Sequence, residues 1–264
     1  MRKTLAVIMV AGGLFGAAAP AGAQDMLRFL DLTSEDMTRA DLSRDDIMAA
    51  IAAAGPGSPL DFAQRRLNGV DFSGLDLSGA NFTAAKLNGA NFSGARLRDA
   101  RFDQAWLLKA NFTRANLSGA QLFQAQMQDS MLDGANFSGA RLASDMTRAS
   151  LKGANLSGVD FSADMRNQSM GLMRGVLTSA NLSGADLRGA NLSRAMAEFA
   201  NFSGADLSGA NLAMLEASGA RFDGANVEGA DFTKAEVQSA RLVGLAGTPR
   251  NLEQSVGLES AVRK

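Results

Sequence analysis

ANFTAAKLNGANFSGARL, residues 80–97, places a large apolar residue at every fifth position: Phe82, Leu87, Phe92 and Leu97. Two residues before each of them stands an alanine: Ala80, Ala85, Ala90 and Ala95. The other three positions are Asn, Thr, Lys, Ser, Arg, Gly or a further Ala. Followed outward, this phase runs from Phe62 to Leu242 with one disturbed stretch. A period of five is not helical, because an apolar stripe on a helix recurs at about 3.6 residues. It is not a straight strand either, because an odd period alternates between faces. It fits a short extended piece followed by a corner, repeated. The large centre and the small residue two before it then share the inward face of one strand, and the remaining positions suit corners and solvent.

A longer period is superimposed on the first. Phe62, Phe82 and Phe102 are spaced by 20, as are Phe72, Phe92 and Phe112. Between them fall Leu67, Leu87 and Leu107, and Leu77, Leu97 and Leu117. Two opposite sides thus carry Phe and the other two carry Leu, the pattern of a four-sided coil of 20 residues with like stacked on like. One repeat exchanges its inward volumes: Leu215 takes an alanine position and Ala217 a centre position, a volume-conserving swap of the kind cores tolerate. These residues resemble the pentapeptide repeat family over about two thirds of the chain. The resemblance implies an all-β fold, a right-handed quadrilateral β-helix, with short helical caps at both ends because repeat folds need covered termini.

The expected organisation is a signal peptide at 1–23, an N-terminal helical cap at 24–59, the β-helix at 60–245 and a C-terminal cap helix and tail at 246–264. Arg2 and Lys3 precede an apolar run, and Ala21-Gly22-Ala23 forms an A-x-A cleavage site, so the chain is expected to be exported to the periplasm or beyond. No other run is apolar and long enough to predict a membrane span. In the N-terminal cap, Ser43 with Asp46 three residues on predicts a helix start, and Gly55-Pro56 its stop. A rival reading carries the five-residue frame through Leu32, Met37, Leu42 and Ile47. At the C-terminus, Thr248 and Pro249 predict a helix start, with Leu252 and Val256 covering the last coil and a loose end from Ser260. That cap is also where the resemblance suggests a homodimer contact.

The repeat is irregular over 143–171. Met146 follows Leu142 by four residues instead of five, and Leu172 follows Phe161 by eleven instead of ten, so the two faults cancel and the 20-residue frame is restored at Leu172. One tight corner and one bulged corner at 162–171 are predicted, the latter either a tolerated insertion or a loop for a partner.

Composition narrows the chemistry. The sequence has no His and no Cys, so His triads, thiol nucleophiles, disulfides and His- or thiolate-ligated metals are excluded. Removing residues 1–23 leaves 24 basic and 27 acidic residues, and residues 60–245 hold 18 of each. A neutral rod offers no field for nucleic acid. No enzyme activity, cofactor or metal is predicted. The candidate protein-binding patch is Trp106, Leu108, Phe123 and Met131, which fall on outward positions with Gln121, Gln124, Gln126 and Gln128 around them as a polar rim. A weaker candidate is Met196 with Phe199, beside the undersized centre Ala197, where either residue would alternatively turn inward. The favoured function is a non-enzymatic exported scaffold binding an envelope protein. The alternatives are a DNA mimic that binds topoisomerases, which the resemblance suggests and the neutral rod and signal peptide disfavour, and a carbohydrate-binding or purely structural rod.

Overall fold

The computed structural model describes residues 31–55, 60–164 and 173–264. The signal sequence read at 1–23 lies outside the described residues, as do Pro56 and Leu172.

The repeat folds as a right-handed quadrilateral β-helix. Its four faces are numbered here in the order the chain meets them: face 1 through Phe62, face 2 through Leu67, face 3 through Phe72 and face 4 through Leu77. Each face contributes one bridging residue per coil, paired in parallel at a register of 20, as in Asn81 with Arg101 and Lys86 with Trp106. The amide of Phe82 donates to the Arg101 carbonyl of the next coil at 2.7 Å, and that of Asn81 to the Leu60 carbonyl of the previous one at 2.8 Å. The chain then turns. The Ala85 amide donates back to the Phe82 carbonyl at 3.0 Å, with Ala84 between them at φ +55°. This is the geometry of a type II turn, which demands positive φ at its third residue.

The core is what the two periods imply. Phe62, Phe82 and Phe102 stack on face 1 with centroids 5.2 and 4.9 Å apart. Phe72, Phe92 and Phe112 stack on face 3 at 4.6 and 4.7 Å. The columns meet edge to face, as in Phe72 against Phe82 at 5.7 Å. Leu67, Leu87 and Leu107 on face 2, and Leu77, Leu97 and Leu117 on face 4, are fully buried, and so are the alanines between the columns. Each such Leu or Phe contributes about 1.5–3 kcal/mol of burial before entropy. Leu215 and Ala217 are both fully buried.

The irregular stretch departs from the sequence frame. The tight corner is present: Ala143 and Ser144 are buried, and the Ser144 amide donates to the Leu142 carbonyl at 2.7 Å. The second fault is an excursion rather than a bulge. Asp145 pairs with Val176 and Asp160 with Asn191, a register of 31 instead of 20. The centre that follows Phe161 is therefore Leu177 on face 2, so the frame does not return after eleven residues. The excursion leaves at the corner between faces 1 and 2, with Asp164 and Met173 paired antiparallel at its base. Gly175 closes it: a Cβ there would meet Phe161 Cδ1 at 2.8 Å and the Phe161 carbonyl at 3.0 Å.

Helix α1 spans Glu35–Thr38 and α2 spans Arg44–Ala53. Ser43 and Asp46 form a reciprocal capping box at the start of α2. Ile47 of α2 is fully buried as part of the core, and Arg44 donates to the Asp71 and Ser73 carbonyls of the first coil at 2.8 and 3.0 Å. The C-terminus corrects the expected cap helix. Parallel pairing continues through Arg250, Val256 and Val262, so the segment is a further coil whose corners are 3-10 turns at Leu252–Gln254 and Leu258–Ser260. Leu252 and Leu258 pack against the end of the core, whereas Val256 is 48% exposed. The end is not loose, since Val262 exchanges backbone hydrogen bonds with Ala240 and Leu242 at 2.8 and 2.7 Å. Thr248 fails as a helix cap because its carbonyl is taken by the Gly229 amide of the previous coil, 2.9 Å away.

Two outcomes follow from this packing. Leu215→Ala should lower the unfolding free energy by about 2–5 kcal/mol, and adding Ala217→Leu should recover most of it, read by urea denaturation. Acid should also weaken the fold. The Ser78 hydroxyl holds Asp76 below its ordinary range, and the Thr233 hydroxyl and Asn251 amide do the same for Asp231. A depressed folded pKa contributes stability above the unfolded value of 3.8 that is lost as pH falls below it. The melting temperature should drop below that pH, and Asp76→Asn with Asp231→Asn should flatten the drop, because asparagine serves the same turns elsewhere.

Candidate functional site

On faces 1, 3 and 4 the bridging residue is usually Asn or Asp, and its side chain serves the fold. Asn91 Oδ1 accepts from the Ser93 amide at 3.1 Å while its Nδ2 donates to Asp71 at 2.9 Å one coil away. Asn116, Asn136 and Asn155 on face 4 each accept from the Ser two residues on. Face 2 abandons this ladder. Its bridging residues are Arg66, Lys86, Trp106, Gln126, Asp145, Val176, Met196, Glu216, Glu236 and Val256, and only Asp145 makes the same turn, to Thr147.

The corners show the same asymmetry. Glycine holds the positive-φ position at nearly every corner between faces 3 and 4 and between faces 4 and 1, where only Arg114 and Asp99 depart from it. Between faces 1 and 2 the position is never glycine: it is Gln64, Ala84, Gln104, Gln124, Arg194, Met214 and Lys234. Between faces 2 and 3 it is mixed, with Lys109, Asp129, Arg148, Ser179, Phe199 and Ser239. A side-chain-bearing residue in this conformation costs about 1–2 kcal/mol relative to its preferred one, whereas glycine adopts it freely. The cost is thus concentrated on the two edges of face 2. Such strain points to function.

Trp106 lies half-buried in the middle of face 2, between Lys86 and Gln126. Phe123 lies half-buried on the edge shared with face 1, with the Arg141 guanidinium 5.3 Å from its ring centroid. Leu108 lies on the opposite edge and lines a groove with Leu32 and Met37. Met131 is past that edge on the face 3 ladder and is 47% exposed. The four predicted residues therefore span face 2 and both its edges rather than forming one compact cluster. The glutamine rim is corrected in part. Gln128 is buried, donating to Asp145 of the next coil at 2.7 Å and to Gln126 at 3.0 Å. Gln124 donates to the Met173 sulfur at 2.9 Å, at the base of the excursion.

In the second candidate, Ala197 remains buried and neither neighbour turns inward. Phe199 is 67% exposed at φ +59°, and its ring lies over Gly219 of the next coil, where a Cβ would meet it at 2.6 Å. Sequence reading missed the ion pair across face 2: Arg174 reaches from the excursion to Glu216 at 2.5 and 3.0 Å and to the Arg194 carbonyl at 3.0 Å. Its signal was obscured by the misplaced frame. On the other edge, Arg148 pairs with Asp129 through two bonds of 2.7 Å, which holds the Asp129 carboxyl below its ordinary range. Among the described residues no cluster of three or more acidic side chains is arranged to hold a metal ion.

The family model for pentapeptide repeats matches residues 66–104, 95–130, 110–144, 120–163, 176–212 and 217–244. The gap at 164–175 is the excursion. A search of curated proteins returns no match. Among solved structures, HetL, a pentapeptide repeat protein involved in heterocyst differentiation regulation from the cyanobacterium Nostoc sp. strain PCC 7120, is 26% identical with a TM-score of 0.51, covering 84% of this chain and 94% of its own. A trypsin-treated form of QnrB1, a plasmid-mediated fluoroquinolone resistance protein, is 19% identical with a TM-score of 0.42, covering 77% and 88%.

Phe199→Gly should stabilise the fold by about 1 kcal/mol, because it removes a left-handed side-chain residue from a corner that accepts glycine. A urea midpoint that falls instead would show that the ring is held for packing rather than for a surface.

Proposed function

The chain belongs to the pentapeptide repeat family, and from that premise we propose that it is a non-enzymatic scaffold of the cell envelope that binds a protein partner across face 2. The observation that carries this is the loss of the Asn/Asp ladder on that face together with the side-chain-bearing corners on both its edges. Face 4 keeps Asn or Asp in most coils, and faces 1 and 3 keep them in at least half. Face 2 gives them up for Trp106, Met196, Glu216 and Glu236, and its edges add Phe123 and Phe199. Half-buried aromatic anchors among polar groups are what a protein interface uses. A rigid surface also loses little entropy on binding.

Export rests on the signal sequence at 1–23, with the periplasm as the proposed compartment. The absence of His and Cys leaves catalysis without its commonest groups. A DNA-mimic role draws no support from a repeat region with equal numbers of acidic and basic residues.

Crosslinking and affinity capture in the native envelope, on protein processed to begin at Gln24, tests the reading. A specific partner should be captured by the unaltered protein and lost from Trp106→Ser/Phe123→Ser, whose melting temperature stays unchanged. Undiminished capture by that double variant would move the site off face 2, and only self-crosslinks would favour a homo-oligomeric structural rod.

A further inference from the structure

We infer that the groove at the foot of face 2 is a recognition site for a protein segment that presents one apolar side chain beside a carboxylate. This rests on the reading of face 2 as a protein-binding surface and names the partner chemistry at one end of it. The groove has a volume of about 370 Å³ and lies between the α1 segment and the corners joining faces 2 and 3. Leu32 and Met37 form one wall and Leu108 the other. Its size lies at the lower end of the range that binding pockets occupy.

The floor of the groove is bare. At this edge the corner residue is Lys109, Asp129, Arg148, Ser179, Phe199 or Ser239 in six coils and glycine in three, and two of those glycines, Gly69 and Gly89, lie beneath the groove. A Cβ built at either glycine meets nothing within 4 Å. The coil tolerates side chains at this corner, so the glycines are not needed for packing. What they do is leave the floor open.

Charge selects the occupant. The cations further down face 2 are already used: Lys86 pairs with Asp36 and Arg66 with Asp41. The polar groups of the floor are occupied too, since the side-chain amides of two asparagines there donate to the carbonyls of Asp36, Arg39 and Met37. Lys109 stands at the rim, exposed, within electrostatic reach of Asp129 but forming no salt bridge among the described residues. An apolar side chain on Leu108 and Met37 with its neighbouring carboxylate on Lys109 satisfies every group the groove leaves open. The α1 segment already sits on this face with the same chemistry, through Met37 and the acids that pair with Arg66 and Lys86.

The test is panning a phage-displayed library of random seven-residue peptides on the purified protein, followed by fluorescence anisotropy with the synthetic consensus peptide. The expected consensus pairs Leu, Ile, Met or Phe with Asp or Glu within two positions. Gly89→Asn, in a conformation asparagine tolerates better than most residues, should fill the groove and abolish binding while the protein stays folded, its melting temperature falling by no more than a few degrees. Lys109→Glu should weaken the acidic consensus by at least about tenfold, the loss of one charge-assisted contact, and favour basic peptides instead. No enrichment, an unchanged consensus on Gly89→Asn, or binding indifferent to Lys109→Glu would overturn the assignment. Peptides lost from Trp106→Ser/Phe123→Ser but kept by Gly89→Asn would also overturn it while leaving face 2 as the wider binding surface.

Discussion

Each corner of the coil needs one residue at positive φ, and the rest of the molecule is arranged around that demand. The turn from centre to next face closes only in this geometry, and closing it brings the small inward residue back to the core. Parallel pairing at a register of 20 then stacks corner on corner, so whatever occupies one corner projects beside its equivalents above and below. Glycine meets the demand at least cost. A chain selected for stability alone would place it at all four corners. This one does so at two, and puts side chains at most positions on the two edges of face 2. The same constraint that builds the rod thus reveals where it has been modified.

How legible this was in the sequence depends on which force dominates locally. The core columns were readable residue by residue, because a centre such as Phe92 and its partner Ala90 must both be apolar and have no other place to go. Helix α2 was readable because Ser43 and Asp46 make a local bond that does not depend on the rest of the fold. The break after Phe161 was not. Leu172 lies eleven residues on, close enough to two repeats to look like a centre, and apolar spacing carries no record of which backbone pairs with which. The register of 31 between Asp160 and Asn191 is a long-range property. The C-terminus failed for a related reason: Thr248-Pro249 is a sound local start for a helix, but the exposed edge of the last coil offers backbone pairing from Arg250 to Val262. Tertiary hydrogen bonding overrode local propensity there.

The surface was half legible. Trp106 and Phe123 stood out as large apolar residues at outward positions, and both are outside the core. That Leu108 faces α1, and that Gln128 is buried against Asp145 of the next coil, required knowledge of what lies over face 2. The clearest signal had been present all along in the ladder itself. Reading every twentieth residue from Arg66 gives Lys86, Trp106 and Gln126 where the other faces give mostly Asn and Asp. A search for large exposed residues misses this, because it is a missing asparagine rather than an added aromatic.

Two of the elements that are not repeats, the α1 segment and the excursion, meet that one face. The α1 segment pairs with it through Ala40 and Leu67, and the Asp41 amide donates to the Arg66 carbonyl at 2.8 Å. The excursion between Phe161 and Gly175 leaves from its edge, and Arg174 ties back across it to Glu216 two coils away. Neither addition is required by the coil. The core is continuous on both sides of the excursion, and Ile47 of α2 already covers the first coil without help from α1. Insertions tolerated at random would be spread over four equivalent faces. Two independent ones lie on a single face, the one that has lost its ladder and carries side-chain-bearing corners along both edges, so that this surface is shaped against the local preference of its own fold.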